Sequence, residues 1–255
     1  MTDSGRRRIV AANWKMHGSM GMVREYVARL TPVAGVELVI CPPAPYLCAV
    51  QTLLVAQANY VAVGAQDVHE HAKGAFTGEV SAEMVADSGG RWTIVGHSER
   101  RRYAGESDEQ IAAKIEAAIR AGLQPILCVG ETIEERQSGA ARSVVDSQLK
   151  VMATRISKLE WRQLIVAYEP VWAIGTGYSA SAVQIDEMHA FIRESLQRQL
   201  DESKEMTVLY GGSVNETNAD ELFRSPQVDG ALVGNAALAG DGFVKIAQAL
   251  QRAKS

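Results

Sequence analysis

Eight short apolar runs recur along the chain, and nothing else in the sequence limits the fold so strongly. They lie at Arg8–Ala12, Glu37–Cys41, Tyr60–Gly64, Trp92–Gly96, Pro125–Val129, Leu164–Tyr168, Thr207–Tyr210 and Gly230–Val233. Each is near-continuous in Val, Ile, Leu and Ala rather than alternating, the pattern of parallel strands buried on both faces. Helical segments lie between them. Ser107 with Gln110 forms a capping box, Ile111, Ile115, Ala118 and Ile119 make one apolar stripe, and Gly122 closes the helix. Ser181 and Gln184 repeat the cap ahead of Ile185, Met188, Ile192 and Leu196. The spacing of Val144, Val145, Leu149, Met152 and Ile156 predicts a further helix over Arg142–Leu159. Strands alternating with helices fit a closed (β/α)8 barrel or an open doubly wound sheet. No Pro-, Ser- or Gly-rich linker divides the 255 residues, so the expectation is an α/β protein, one closed barrel domain over 1–255.

Composition removes several function classes. The net charge is −4, so there is no basic excess to neutralise a nucleic-acid backbone, and no nucleic-acid partner is expected. The Arg6–Arg7–Arg8 triplet reads as a solvated strand start. Three cysteines give no disulfide framework and point to a reducing compartment. Cys41 and Cys128 lie in apolar runs and read as buried small hydrophobes. No apolar run approaches the ~18 residues of a membrane span, and Ile9–Ala12 is too short for a signal-peptide core. A soluble, cytoplasmic protein without a membrane partner is expected.

The polar residues that follow the strands carry the chemistry. Asn13-Trp14-Lys15 follows the first, Gln66-Asp67 the third, His97-Ser98-Glu99-Arg100 the fourth and Glu131 the fifth. Glu169-Pro170 follows the sixth, Gly211-Gly212-Ser213 the seventh and Gly234-Asn235 the eighth. In a parallel barrel all of these converge on one face, where barrel enzymes carry their active sites. Gly175–Ala180 is a degenerate dinucleotide fingerprint, but Glu169–Ile174 separates it from the strand, so a glycine-hinged loop closing over a ligand fits better. His69-Glu70-His71 lacks metal-site spacing and a third ligand, so no metal and no cofactor are expected.

Seven ordered stretches then resemble the triosephosphate isomerase family over essentially the whole chain. They are Asn13–Met16, Gly74–Glu79, Val95–Arg101, Cys128–Thr132, Ala167–Gly177, Tyr210–Asn215 and Asp229–Gly234. The resemblance implies a TIM barrel and interconversion of D-glyceraldehyde 3-phosphate and dihydroxyacetone phosphate, a step of glycolysis and gluconeogenesis. It makes Glu169 the base that removes a proton beside a carbonyl, in a place shielded from water. Lys15 and Asn13 would stabilise the enediolate oxygen. His97 would move protons between the two oxygens, with a helical turn over Ser98–Arg102 disfavouring imidazolium; the family is itself a known case of a neutral catalytic histidine. Glu99 would hold Lys15 or its own turn in place, or act as an N-terminal helix acid. Backbone amides at Gly175, Ser213, Gly234 and Asn235 would bind the phosphate. The resemblance also makes Val171, Trp172, Ala173, Ile174, Gly175, Thr176, Gly177 and Tyr178 a lid. It implies a homodimer formed through the loop around Thr77.

Five positions depart from the family pattern. Asn235 stands for a glycine of the phosphate site, Tyr178 for a lysine after the lid, Ala12 for a glycine, and His17 and Asp67 for asparagines. Asp67 lies beside the expected dimer loop. Lys15, His97 and Glu169 are intact. Alternative readings are a sister isomerase for a four-carbon sugar phosphate, a barrel aldolase, for which no Schiff-base lysine is seen, and a catalytically silent phosphate-binding barrel.

Overall fold

The computed structural model describes residues 5–174, 180–200 and 206–254. Eight parallel strands close into a barrel in chain order. They are β1 (Ile9–Asn13), β2 (Glu37–Cys41), β3 (Ala62–Ala65), β4 (Trp92–Val95), β5 (Gln124–Val129), β6 (Ile165–Tyr168), β7 (Val208–Tyr210) and β8 (Gly230–Val233). Ile9 of β1 pairs with Glu37 of β2 on one side and Gly230 of β8 on the other, which closes the ring. Around it lie α1 (Met20–Ala28), α2 (Leu47–Ala56), α3 (Ala82–Asp87), α4 (Asp108–Arg120) and α5 (Ile133–Gln137). They are followed by α6 (Ala141–Arg155), α7 (Lys158–Trp161), α8 (Ala182–Leu200), α9 (Ala219–Phe223) and α10 (Gly240–Ala253). The fold is the (β/α)8 barrel that the strand pattern favours, not the open sheet.

The strands are apolar throughout because each has two dry faces. Ile9, Ala11, Val39, Ile94, Ile126, Ala167 and Leu209 fill the barrel interior. Their neighbours Val10, Ala12, Ile40, Val95, Leu127, Val166 and Val208 face the helices. A fully buried Ile, Leu or Val contributes about 1.5–3 kcal/mol, so this double core carries most of the stability. Cys41 and Cys128 are buried in the interior cluster, as their apolar runs imply, while Cys48 is exposed.

The caps are where the sequence puts them. Ser107 Oγ accepts from the Gln110 N–H and Gln110 Oε1 accepts from the Ser107 N–H. Ser181 and Gln184 exchange the same pair of bonds. The stripes Ile111, Ile115 and Ala118 of α4, and Ile185, Met188, Ile192 and Leu196 of α8, are buried. Two boundaries need correction. The helix expected over Arg142–Leu159 ends at Arg155, because Ile156 is extended and Ser157 with Glu160 forms a second capping box that starts α7. The strand expected at Tyr60 begins at Ala62. Asn59 Oδ1 accepts from the Val61 N–H, and its amide donates to the Leu30 carbonyl, which holds the entry as a turn and leaves Tyr60 exposed. The arginine triplet does open β1, with Arg7 forked onto Glu37 and Arg6 bonded to the Pro226 carbonyl.

Candidate active site

The strand direction delivers the expected residues to one end of the barrel. Asn13, Lys15, His97, Glu169, Ser213, Gly234 and Asn235 share the lining of one cavity of about 300 Å³, with Ile174 at its edge. Glu99 reaches the cavity through Lys15, whose Nζ lies 2.6 Å from Glu99 Oε1.

Lys15 is held in an unusual backbone conformation. Its φ is +50°, a left-handed value that costs a non-glycine residue about 1–3 kcal/mol when it is not compensated. Two side chains fix it there. Asn13 Oδ1 accepts from the Lys15 N–H at 3.0 Å, and Gln66 Nε2 donates to the Lys15 carbonyl at 2.8 Å. The turn aims the ammonium into the cavity, and the Glu99 pair sets its reach.

His97 and Glu169 face each other. His97 Nδ1 accepts from the Glu99 N–H at 3.2 Å, so the neutral ring carries its proton on Nε2. That nitrogen lies 3.1 Å from Glu169 Oε1. The helical turn expected after His97 is present, and it runs on to Ala104 in the wider π form. The first amide of this turn, from Ser98, donates to Glu169 Oε2 at 2.8 Å. Glu169 Oε1, by contrast, is buried and has no hydrogen-bond donor in line with it. One carboxylate oxygen is therefore anchored and the other is open beside an imidazole N–H, in a side chain only 2% exposed. Two glycines make this placement possible. A Cβ at Gly130 would meet the Glu169 carbonyl oxygen at 1.8 Å, and one at Gly211 would meet Glu169 Cγ at 2.8 Å.

The chain matches the triosephosphate isomerase family model over residues 8–250. This chain belongs to the triosephosphate isomerase family. It is 50% identical to the triosephosphate isomerase of Thiobacillus denitrificans over 247 residues, covering 96% of this chain and 98% of that one. It is 48% identical to that of Dechloromonas aromatica over 251 residues, covering 96% and 99%. It is 46% identical to that of Xanthomonas campestris pv. campestris strain 8004 over 248 residues, covering 96% and 98%.

Of the lid that the family resemblance implies, Val171–Ala173 form a short 3₁₀ turn and Ile174 follows. Gly175, Thr176, Gly177 and Tyr178 lie outside the described residues, and with them the expected phosphate contact at Gly175. Trp172 Nε1 donates to Glu131 Oε1 at 2.9 Å. The same oxygen accepts from the Tyr168 hydroxyl and from Arg136, both at 3.0 Å, and the Arg136 guanidinium also covers the Trp172 ring. Burial and the neighbouring Glu169 carboxylate push the Cys128 thiol well above its usual value, which keeps it a neutral wall group.

Asp67 has a structural explanation that the sequence did not suggest. It lies 2.6 Å from Lys114 and 2.9 Å from Arg100, and Glu106 takes the same two cations at 2.5 and 2.6 Å. Burial pushes the Asp67 carboxyl up, against the pull of Lys114. Glu106 is desolvated too, but its hydrogen bonds from Lys114 and Arg100 outweigh that and hold it low. Sequence reasoning also left Gln66, Ser98 and Glu131 without roles. All three stand just past strand ends, so their position marked them as polar residues of the active face. Their partners are distant in sequence and only the fold shows them.

Proposed function

We propose that this chain interconverts D-glyceraldehyde 3-phosphate and dihydroxyacetone phosphate by proton transfer through an enediolate. The reading is supported by family membership and by the names of the relatives. The observation that carries it is the Glu169 carboxylate, with Oε2 fixed by Ser98 and Oε1 buried and open beside His97 Nε2. Glu169 takes the proton from the carbon next to the substrate carbonyl, and the electron pair of that C–H bond passes to the carbonyl oxygen. The Lys15 ammonium and the His97 Nε2–H stabilise that oxygen as its charge develops, and His97 then relays a proton between the two enediolate oxygens. Asn13 Oδ1 is committed to the Lys15 N–H, so its NH₂ serves the substrate. Amides of Ser213, Gly234 and Asn235, with that of Gly175, bind the phosphate, and 171–178 is the lid. The four-carbon isomerase and the silent barrel are not favoured by the family match.

The exposed loop through 71–79, with Thr77 near its tip, supports a homodimer. So does a second cavity beside Lys15 and Glu99, rimmed by the exposed side chains of Met16 and Tyr103. No described helix is long and apolar enough to cross a membrane. With the cysteine usage this supports a cytoplasmic enzyme of glycolysis and gluconeogenesis. The test is turnover of glyceraldehyde 3-phosphate by the purified protein, with Glu169→Asp and Glu169→Gln alongside. The expected result is fast isomerisation by the parent and a large loss of kcat in both variants. A folded parent without turnover would overturn the reading.

A further inference from the structure

Asn235 stands directly after β8, and its side chain takes no part in holding the fold. Four other asparagines of the chain each spend Oδ1 on a backbone N–H two or three residues away. Asn13 takes the Lys15 N–H, Asn59 that of Val61, Asn215 that of Thr217 and Asn218 that of Asn215. This is the usual employment of a short carboxamide. Asn235 departs from it. Its backbone carbonyl accepts from the Leu238 N–H at 3.1 Å, and the Gly234 carbonyl accepts from the Ala237 N–H at 2.8 Å, so backbone bonds alone close the turn. Ala237 is buried and Asn235 is exposed. Among the described residues the Asn235 carboxamide has no hydrogen-bond partner.

Asn235 belongs to the lining of the cavity that it shares with Lys15, His97 and Glu169. Of the polar side chains in that lining, Asn13, Lys15, His97, Glu169 and Asn215 each hold a partner within the protein. Among the described residues Ser213 and Asn235 hold none, and they follow the paired strands β7 and β8. On its other side β8 pairs with β1, which leads to Lys15. Lys15 Cε lies 3.7 Å from the point where a Cβ at Gly234 would stand, so the lysine stem runs past the residue just before Asn235. A carboxamide offers two N–H donors, and a bond from such a donor to an anion is about twice as strong as one between neutral groups. The ligand that suits a partnerless carboxamide near a lysine is therefore an anion that only accepts.

We propose that the Asn235 side chain is a phosphate-binding group in its own right, with Nδ2 donating to a phosphate oxygen of the substrate in addition to the backbone amides. The glycine that the family pattern holds at this position has no such donor. The inference rests on the proposed function, which supplies the phosphate.

Inorganic phosphate is the probe, and its binding is measured by titration calorimetry at fixed ionic strength, without turnover. In Asn235→Ala the dissociation constant is expected to rise about tenfold, the scale of one hydrogen bond to a charged group. In Asn235→Asp, which keeps the size and puts a carboxylate where the amide was, it is expected to rise further. KM for glyceraldehyde 3-phosphate should rise as well, by more than kcat falls. Phosphate bound by Asn235→Ala as tightly as by the parent, or more tightly, would overturn the proposal, because the side chain would then be a bystander or would crowd the anion. So would a folded parent that binds no phosphate. A parent that binds phosphate more tightly than Asn235→Ala but does not isomerise would end the proposed function and leave the phosphate contact standing.

Discussion

Two groups of buried charge stand at the active end of the barrel, and they are built to opposite ends. In the quartet of Asp67, Arg100, Glu106 and Lys114, two carboxylates and two cations neutralise one another at 2.5 to 2.9 Å. In the Glu169 pair, one oxygen is anchored by the Ser98 amide and the other is left buried with no donor in line. The quartet bonds the turn after β4 to α4 and to the end of β3, so its charges serve position. Glu169 keeps an open oxygen, so its charge is available for a proton. That oxygen lies 3.1 Å from His97 Nε2 with no donor in line, where the proposed chemistry needs a base.

Substitutions that invert the two roles give the largest effects. Glu169→Gln removes the proposed base, and kcat is expected to fall by about 10²–10⁴-fold, measured in steady-state turnover, while the unfolding midpoint stays or rises. Lys114→Met strips both carboxylates of a shared cation. It is expected to cost about 3–5 kcal/mol in denaturant unfolding, with the activity of the folded fraction far less affected than in Glu169→Gln. A smaller effect comes from pH. His189 has a folded pKa lowered from 6.5 to about 3, so between those values the unfolded chain takes up a proton that the folded one refuses. Stability must therefore fall as pH falls, by about 2 kcal/mol between pH 7 and 5, and His189→Asn should lack that part of the slope. The smallest effect is expected from Ser107→Ala. It removes the cap of the helix that carries Lys114, at a cost of about 1 kcal/mol and without change in kcat.

What could be read from the sequence follows from how local each signal is. Near-continuous apolar runs imply two buried faces, and eight of them with helices between favour the barrel. The caps at Ser107 and Ser181 are three-residue patterns and so were visible. The Ser157–Glu160 box has the same form, but the apolar spacing of α6 runs through it and hid the break at Ile156. At the site, Lys15, His97 and Glu169 were marked by their places after strands and by family resemblance. The left-handed turn at Lys15, the Gln66 bond that holds it and the quartet around Asp67 were not. Apart from the local Asn13 bond to the Lys15 N–H, each depends on groups brought together from different strands, turns and helices, and no spacing along the chain encodes them.

In the proposed mechanism a proton rests on Glu169 between leaving one carbon and reaching the next. Conversion of dihydroxyacetone phosphate in D₂O, with the product read by NMR, tests it most directly. Solvent deuterium is expected on carbon 2 of the glyceraldehyde 3-phosphate formed, because a proton held by a carboxylate exchanges with solvent. Product formed at full rate without deuterium at that carbon, from both the parent and the Glu169→Gln variant, would mean that hydrogen reaches carbon 2 without passing through Glu169.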